Sequence, residues 1–413
     1  MTELLSVHNA RQMILQAFHP LEPLEIPLSK ANGYALAESI YSPLDIPSFA
    51  NSSMDGFAVV SADLAGADPQ HPIRLQVIED IPAGKVPLLT VRYGLAARIM
   101  TGAMLPPGAD AVLPLEETRE EPHLHSVLCF SATQPGDFIR PVGHDFKQHD
   151  LLIPGGTRLH AQHLGLLASL GLGELRVHRK PRIALLTTGD ELLPPGSALQ
   201  PGKIIDSNSL VLSTMLEESG AVVHLQGIAR DTTDEISDFM EAASAAGVDL
   251  ILSSAGVSVG EYDFVKAAIS THGKIDFWRV NLRPGKPLAF GQYRTIPFFG
   301  LPGNPVSSFV TFLLFVQPAI QKMCGLVNDP SRRLSAYLQQ PVQSDGRESY
   351  LRAHAHLSPD GDIHAQLAGS HQGSANLLGL VASNALLIVP SGVKSLPIGA
   401  RVDLLLIGDL TNE

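Results

Sequence analysis

The chain has 413 residues, 45% of them hydrophobic and 17% charged, with a formal net charge of −12. One hydrophobic core does not serve that length, so at least three domains are expected. The acidic balance argues against a nucleic-acid partner, which would draw on a basic face, and no apolar run reads as long enough to span a bilayer, so no membrane is expected.

The opening segment "MTELLSVHNARQMILQAF" has apolar positions at helical spacing. Glu3 stands where a signal peptide would carry basic residues, so the segment reads as a mature amphipathic helix. "FHPLEPLEIP" holds too much proline to continue it. From Asn51 to about Asp145, short runs such as "IRLQVIEDI" and "VLCFSA" are cut by Gly and Pro, which predicts a separate all-β module. A helix from about His160 to Leu170, ended by Gly171, and a connecting strand come next. From Arg182 strands and helices alternate: "RIALLTT", "SNSLVLSTMLEESG", "AVVHLQGIAR", "TDEISDFMEAASAAG", "DLILSS" and "EYDFVKAAISTHG". That rhythm predicts a doubly wound α/β/α domain around a parallel sheet. Two more strands flank "RPGKPLAFG", and "FFGLPGNPVSS" reads as a loop running into a long apolar helix. Beyond Asn328 the chain is β again, with a hairpin around Asp360 and Gly361. Cys129 and Cys324 show neither pairing nor ligand spacing, as in a reducing compartment, and the cytoplasm is the expected location.

In an open parallel sheet, ligands sit beyond the carboxyl ends of the strands. Five loops are then expected at one edge: "TTGDE", "ARDTTDE", "SSAGVSVGEYD", "RPGKP" and "GLPGNPVSS". The third sets Ser253, Ser254, Gly256 and Ser258 before a helix, and the last does the same with Gly303, Asn304, Ser307 and Ser308. Backbone N–H groups and hydroxyls in that setting form an anion cradle, although plain helix capping would use the same residues. Arg279, Arg283 and Lys286 supply positive charge nearby. Asp190 and Glu191, in the middle of the first loop, would repel a phosphate unless a cation stands between them.

Two rival chemistries need weighing. "GVSVG" fits a nucleophile elbow at Ser258, but the preceding strand should end at Ser254, too early for a strained elbow, and Glu261 and Asp263 would oppose an oxyanion. Sixteen histidines invite a zinc reading, with His354 and His356, or His123 and His125, on one strand face. No third ligand stands at a fixed spacing, so exposed β-face histidines are expected instead.

With the loops placed, "NSSMDGFA", "ARIMTGAMLPPGAD", "TTGDEL", "AGVSVGEYDF", "RPGKP" and "LPGNPVSS" together resemble the bacterial molybdopterin molybdenumtransferase family and its eukaryotic relative gephyrin, over nearly the whole chain. The resemblance implies four domains. These are a discontinuous first domain (1–50 and 146–178), an inserted β module (51–145), an α/β/α molybdopterin-binding domain (179–327) and a small C-terminal β-barrel (328–413). It implies an elongated homodimer whose site draws on both subunits. The implied reaction joins molybdopterin-AMP and molybdate, with Mg²⁺, to give molybdenum cofactor and AMP, and a molybdopterin adenylyltransferase could hand over the substrate.

Carried over by motif, the functional positions are Asp55, Thr101, Arg140, Asp145, Glu191, Asp231 and Asp263, with Arg279, Arg283, Pro302, Pro305, Arg352 and Ser374 completing the set. Asp145, Glu191 and Asp231 are the implied Mg²⁺ carboxylates. Three departures stand out: Arg279 and Arg283 replace frequent lysines, Ala255 a frequent glycine, and His144 and His149 an acid and a glycine. Two other functions fit the same motifs, a non-catalytic gephyrin-like scaffold that binds pterin and a serine hydrolase using Ser258.

Overall fold

The structure is a computed structural model that describes residues 4–255, 264–327, 333–369 and 371–412. It divides into two compact units, Ser39–Pro154 and a larger one of Met1–Glu38 with Gly155–Glu413. Gly256, Ser258 and Asp263 lie outside the described residues.

The smaller unit is built on a six-stranded sheet in the spatial order Ala111–Pro114, Gly56–Val59, Leu95–Ile99, Ile73–Ile81, Ser126–Cys129, Thr118–Glu121. The chain enters it at Ile40–Tyr41 and leaves at Leu151–Ile153, and these two short strands pair antiparallel. Entry and exit are therefore neighbours, as in a module inserted into another domain.

The larger unit carries α1 (Val7–Gln16), α2 (Ala161–Ser169) and a six-stranded sheet. Its strands are β1 (Arg182–Thr188), β2 (Val222–Ala229), β3 (Leu250–Ser254), β4 (Gly273–Arg279), β5 (Pro287–Tyr293) and β6 (Ile296–Leu301), in the spatial order 2-1-3-6-5-4. Three helices, α3 (Asn208–Glu218), α4 (Thr233–Ala245) and α5 (Phe264–His272), connect or follow them. Alternation along the strands sorts the core into two layers. Ile183, Leu185, Leu250 and Leu252 pack with α1 and α3, while Ala184, Leu186 and Ile251 pack with α4 and α5.

Strands β2, β1, β3 and β6 are parallel, as expected, and β4 runs the same way, while β5 alone, between β6 and β4, is antiparallel to its neighbours. The expected parallel sheet thus carries one reversed strand, and "FFGL" belongs to strand β6 rather than to a loop. Because β5 reverses, its amino end lies beside the carboxyl end of β6, and Pro287 pairs with Arg279 at the end of β4. The "RPGKP" turn thereby reaches the same edge as the four loops that follow parallel strands.

A second correction concerns the apolar helix that begins at Pro305. It runs to Met323, as α6 (Pro305–Thr311), a π turn (Phe312–Val316) and α7 (Gln317–Met323). By length and composition it could cross a membrane, yet it is mostly buried, with Val310, Phe312, Phe315 and Ile320 in the core shared with α1 and the sheet.

The last part of this unit is a closed barrel of β7 (Arg333–Leu338), β8 (Glu348–Leu357), β9 (Ile363–Leu367), β10 (Ala385–Val389) and β11 (Arg401–Leu406). It closes where β10 pairs with β8. The expected hairpin is the β8–β9 pair. His356, expected on an exposed face, is 7% exposed, its ring stacked on His364 and 3.4 Å from Gln339 Nε2.

Candidate functional site

At the carboxyl edge of the central sheet lies a cleft of about 560 Å³. Its walls come from Thr187 and Glu191 after β1, Asp206 and Asn208 before α3, Ser254 and Ala255 after β3, and the Pro302–Ser307 stretch after β6. The strands end here because small polar residues, Thr187, Thr188, Ser253 and Ser254, replace the branched apolar run. All four are buried.

Hydrogen bonds tie these walls together. Asp206, 2% exposed, accepts from the Thr187 hydroxyl at 2.8 Å and from the Ser209 N–H at 3.0 Å, linking the end of β1 to the start of α3. Asn208 Nδ2 donates to Ser254 Oγ at 2.8 Å and to the Gly303 carbonyl at 2.7 Å. Asn304 Nδ2 donates to Ser374 Oγ at 3.0 Å, and the Ser374 carbonyl accepts from the Val306 N–H at 3.0 Å. The cleft floor is thus crowded with N–H and O–H groups beside the first turn of a long helix, an arrangement that favours anionic oxygens.

The acids form the opposing feature. Asp190 Oδ1 accepts from the Asp231 N–H at 3.2 Å, which joins the loops after β1 and β2. Burial pushes the Asp231 carboxyl above the ordinary aspartate range, and the nearby charges of Asp190 and Glu191 push it the same way. A Cβ on Gly189 would lie 2.8 Å from both carboxylate oxygens of Glu191, so glycine is required for that side chain to fold back as it does. These groups offer only oxygen, the donor chemistry of a hard divalent cation. Among the described residues, no three His, Cys, Asp or Glu side chains form a ready metal cage, so water and ligand oxygens would complete such a site.

The family models match the chain in three consecutive stretches: the MoeA N-terminal region (domain I and II) over 5–171, a probable molybdopterin binding domain over 184–322, and the MoeA C-terminal region (domain IV) over 335–407. The molybdopterin molybdenumtransferase of Nostoc sp. is 37% identical, the match covering 97% of this chain and 93% of that protein. The chain belongs to the molybdopterin molybdenumtransferase family. The molybdopterin molybdenumtransferase 2 of Mycobacterium tuberculosis is 35% identical, covering 98% of this chain and all (100%) of that one. Among solved structures, a molybdopterin biosynthesis MoeA protein from Pyrococcus horikoshii OT3 superposes with a TM-score of 0.84 at 29% identity, over 98% of this chain and 100% of its own.

In this molybdenumtransferase-family chain the cleft gathers Glu191, Ser254, Pro302, Gly303, Asn304, Pro305 and Ser307 of the expected site residues. Arg279, at the end of β4, and Lys286 are exposed near the same edge, outside the cleft lining. Arg283 lies 3.8 Å from Asp345, whose carboxylate is held chiefly by Arg347 at 2.5 Å. Ser253 is fully buried, its hydroxyl without a hydrogen-bond partner.

Asp55, Thr101, Arg140 and Asp145 belong to the smaller unit. There Asp55 Oδ1 accepts from the Thr101 N–H at 2.7 Å and the Thr101 hydroxyl at 2.8 Å, which holds its carboxyl below the ordinary range. Arg140 is exposed on a short strand whose partner residue is Asn51, four positions before Asp55 in the chain. Asp145 is exposed.

Arg352 is buried in the barrel, where the sequence places a charged residue. It is 1% exposed and donates to the Asn376 carbonyl at 2.7 Å, the His371 carbonyl at 2.8 Å and Gln372 Oε1 at 3.4 Å. Its guanidinium braces the loop that carries Ser374. Asp206 and Asn208 escaped the sequence reading, because "IDSN" before a helix looks like ordinary capping.

Proposed function

We propose that this transferase inserts molybdenum from molybdate into adenylylated molybdopterin, with Mg²⁺, releasing molybdenum cofactor and AMP. The observation that carries the reading is the pairing, in one cleft, of a donor-rich floor with Glu191, whose charge acts on Asp231 together with that of Asp190. A phosphate drawn to the floor would be repelled by the acids unless a cation neutralised them. Glu191 and Asp231 would hold Mg²⁺. Bound there, the ion would polarise the phosphoanhydride and offset the charge of the departing AMP.

The chain's own residues supply the rest. Backbone N–H groups and hydroxyls around Ser254, Gly303 and Ser307 bind phosphate oxygens. Asp190, hydrogen-bonded to the Asp231 N–H, keeps the two acid loops together. Arg279 and Arg283 give planar donors to the molybdate dianion, which needs local positive charge in a chain of net charge −12. The reading extends to a homodimer working in the cytoplasm and supplied by a molybdopterin adenylyltransferase. Light scattering would test the first of these.

The decisive experiment mixes purified protein with molybdopterin-AMP, molybdate and Mg²⁺ and follows AMP and cofactor release. Turnover that requires all three components supports the proposal. Tight binding with no AMP release would refute it and leave the scaffold function.

A further inference from the structure

The loops that wall the cleft lie far apart in sequence, and the side chain of Asn208 bridges them. Asn208 is the first residue of α3, where Asp206 accepts from the Ser209 N–H, yet the Asn208 amide makes no bond to its own helix. Nδ2 instead reaches Ser254 Oγ and the Gly303 carbonyl, partners 46 and 95 positions away in the chain. A carboxamide has two N–H donors, and both are used. A carbonyl can only accept, so the Gly303 contact also fixes which end of the amide is nitrogen.

The bonds continue in one direction. Ser254 Oγ lies 3.4 Å from Ser308 Oγ, and the Ser308 hydroxyl donates to the Pro302 carbonyl. With Ser308 donating to Pro302, Ser254 must donate to Ser308 and is left to accept from Asn208. The chain of donors therefore starts at Asn208. Its Oδ1 is buried and has no partner among the described residues. A side chain placed there for packing alone would not leave an acceptor buried and unpaired.

We propose that Asn208 is a positioning residue that fixes the width of the cleft. It ties the Pro302–Asn304 turn to the end of β3, so that Ser254, Gly303 and Asn304 meet a phosphate-bearing ligand as one rigid wall. Only the identity of that ligand rests on the function proposed above.

The test uses the full-length protein with Asn208→Leu, close in size but without donors, and Ser254→Ala, which leaves the Gly303 bond in place. Hydrogen exchange is read at the Val306 and Ser308 amides, alongside KM and kcat for AMP release from molybdopterin-AMP. Asn208→Leu should speed exchange in the turn about tenfold while the α4 and barrel amides stay at the wild-type rate. It should raise KM about fivefold with a smaller change in kcat, because misplaced binding groups weaken capture of the ligand. Ser254→Ala should fall between Asn208→Leu and wild type. Unchanged exchange at Val306 and Ser308 in both variants would overturn the proposal, as would a loosened turn with unchanged KM. If the wild type released no AMP, the functional reading would fail on its own, and the exchange comparison would still decide whether Asn208 is the clamp.

Discussion

Replacing Arg352 by lysine distinguishes a residue that binds an anion from one that shapes the binding loop. The guanidinium spans two carbonyls, those of Asn376 and His371, at 2.7 and 2.8 Å, with Gln372 Oε1 at 3.4 Å from Nε. A lysine keeps the charge but concentrates its donors at one point, so it cannot span both carbonyls. One buried carbonyl loses a charged donor, at a cost of about 1.5–3 kcal/mol, and the shorter side chain leaves a gap of its own. We therefore expect Arg352→Lys to destabilise the barrel by about 2–4 kcal/mol, the sum of a lost charged hydrogen bond and a small cavity. The loss should propagate. Ser374, in the braced loop, contacts Asn304 and Val306, so phosphate capture at the cleft should weaken too. Hydrogen exchange across 371–379 and the KM for molybdopterin-AMP measure both ends. If Arg352 bound the ligand directly, lysine would retain much of the affinity and the loop would stay protected. Wild-type exchange at 371–379 would refute the bracing role.

The parts of the fold legible from sequence were those encoded by side-chain period. Ile183 and Leu185 face one helical layer and Ala184 and Leu186 the other, which is the alternation that a buried strand between helices must show. Strand direction has no such code. The β5–β6 hairpin turns through Arg294 and Thr295, with Arg294 at φ 53°, and "YRTI" contains none of the Gly or Asn that normally announce a tight turn. The reversal of β5 was therefore invisible. The cleft was legible through its loops, since Gly, Ser and Asp at five strand ends point to one edge. Asn208 was not, because its partners are separated from it by whole strands and helices. The burial of Arg352 was hidden for a different reason. A charged side chain in a sequence suggests solvent or ligand, whereas here carbonyl dipoles surround it, and no local pattern encodes a cage made by residues 371–376. Ala255 shows the converse: its departure from a frequent glycine was visible, and the structure sets it at φ 78°, a conformation that favours glycine, facing Gly303.

Gly379→Ala should unfold the same brace from the other side, since its Cβ would lie 3.0 Å from the pinned Arg352 guanidinium; a loss of about 1–3 kcal/mol in urea unfolding is expected, and an unchanged midpoint would contradict the packing. Asp231→Asn should flatten a pH dependence. The native carboxyl binds its proton more tightly than an unfolded aspartate does, so without Mg²⁺ the wild type should lose stability as pH rises from the ordinary aspartate range through the raised value. The asparagine variant should not, and thermal unfolding followed as pH is raised from about 4, the ordinary aspartate value, reads the difference. Glu191→Gln addresses the chemistry. A glutamate just after a strand could have been a charge complementing a helix dipole, but the residues that follow form a short strand, Leu192–Leu193, and α3 begins only at Asn208. Glu191 is not in the first turn of a helix of its own, while a glycine is kept clear beside its carboxylate. The glutamine keeps the shape and removes the charge, so molybdopterin-AMP should still bind to the donor-rich floor. AMP release should slow by roughly two orders of magnitude or more, and excess Mg²⁺ should restore part of it, because a weakened ion site refills by mass action. Wild-type AMP release with unaltered Mg²⁺ dependence would show that the acids at the cleft hold no ion, and the repulsion they exert on a phosphate would then need another explanation.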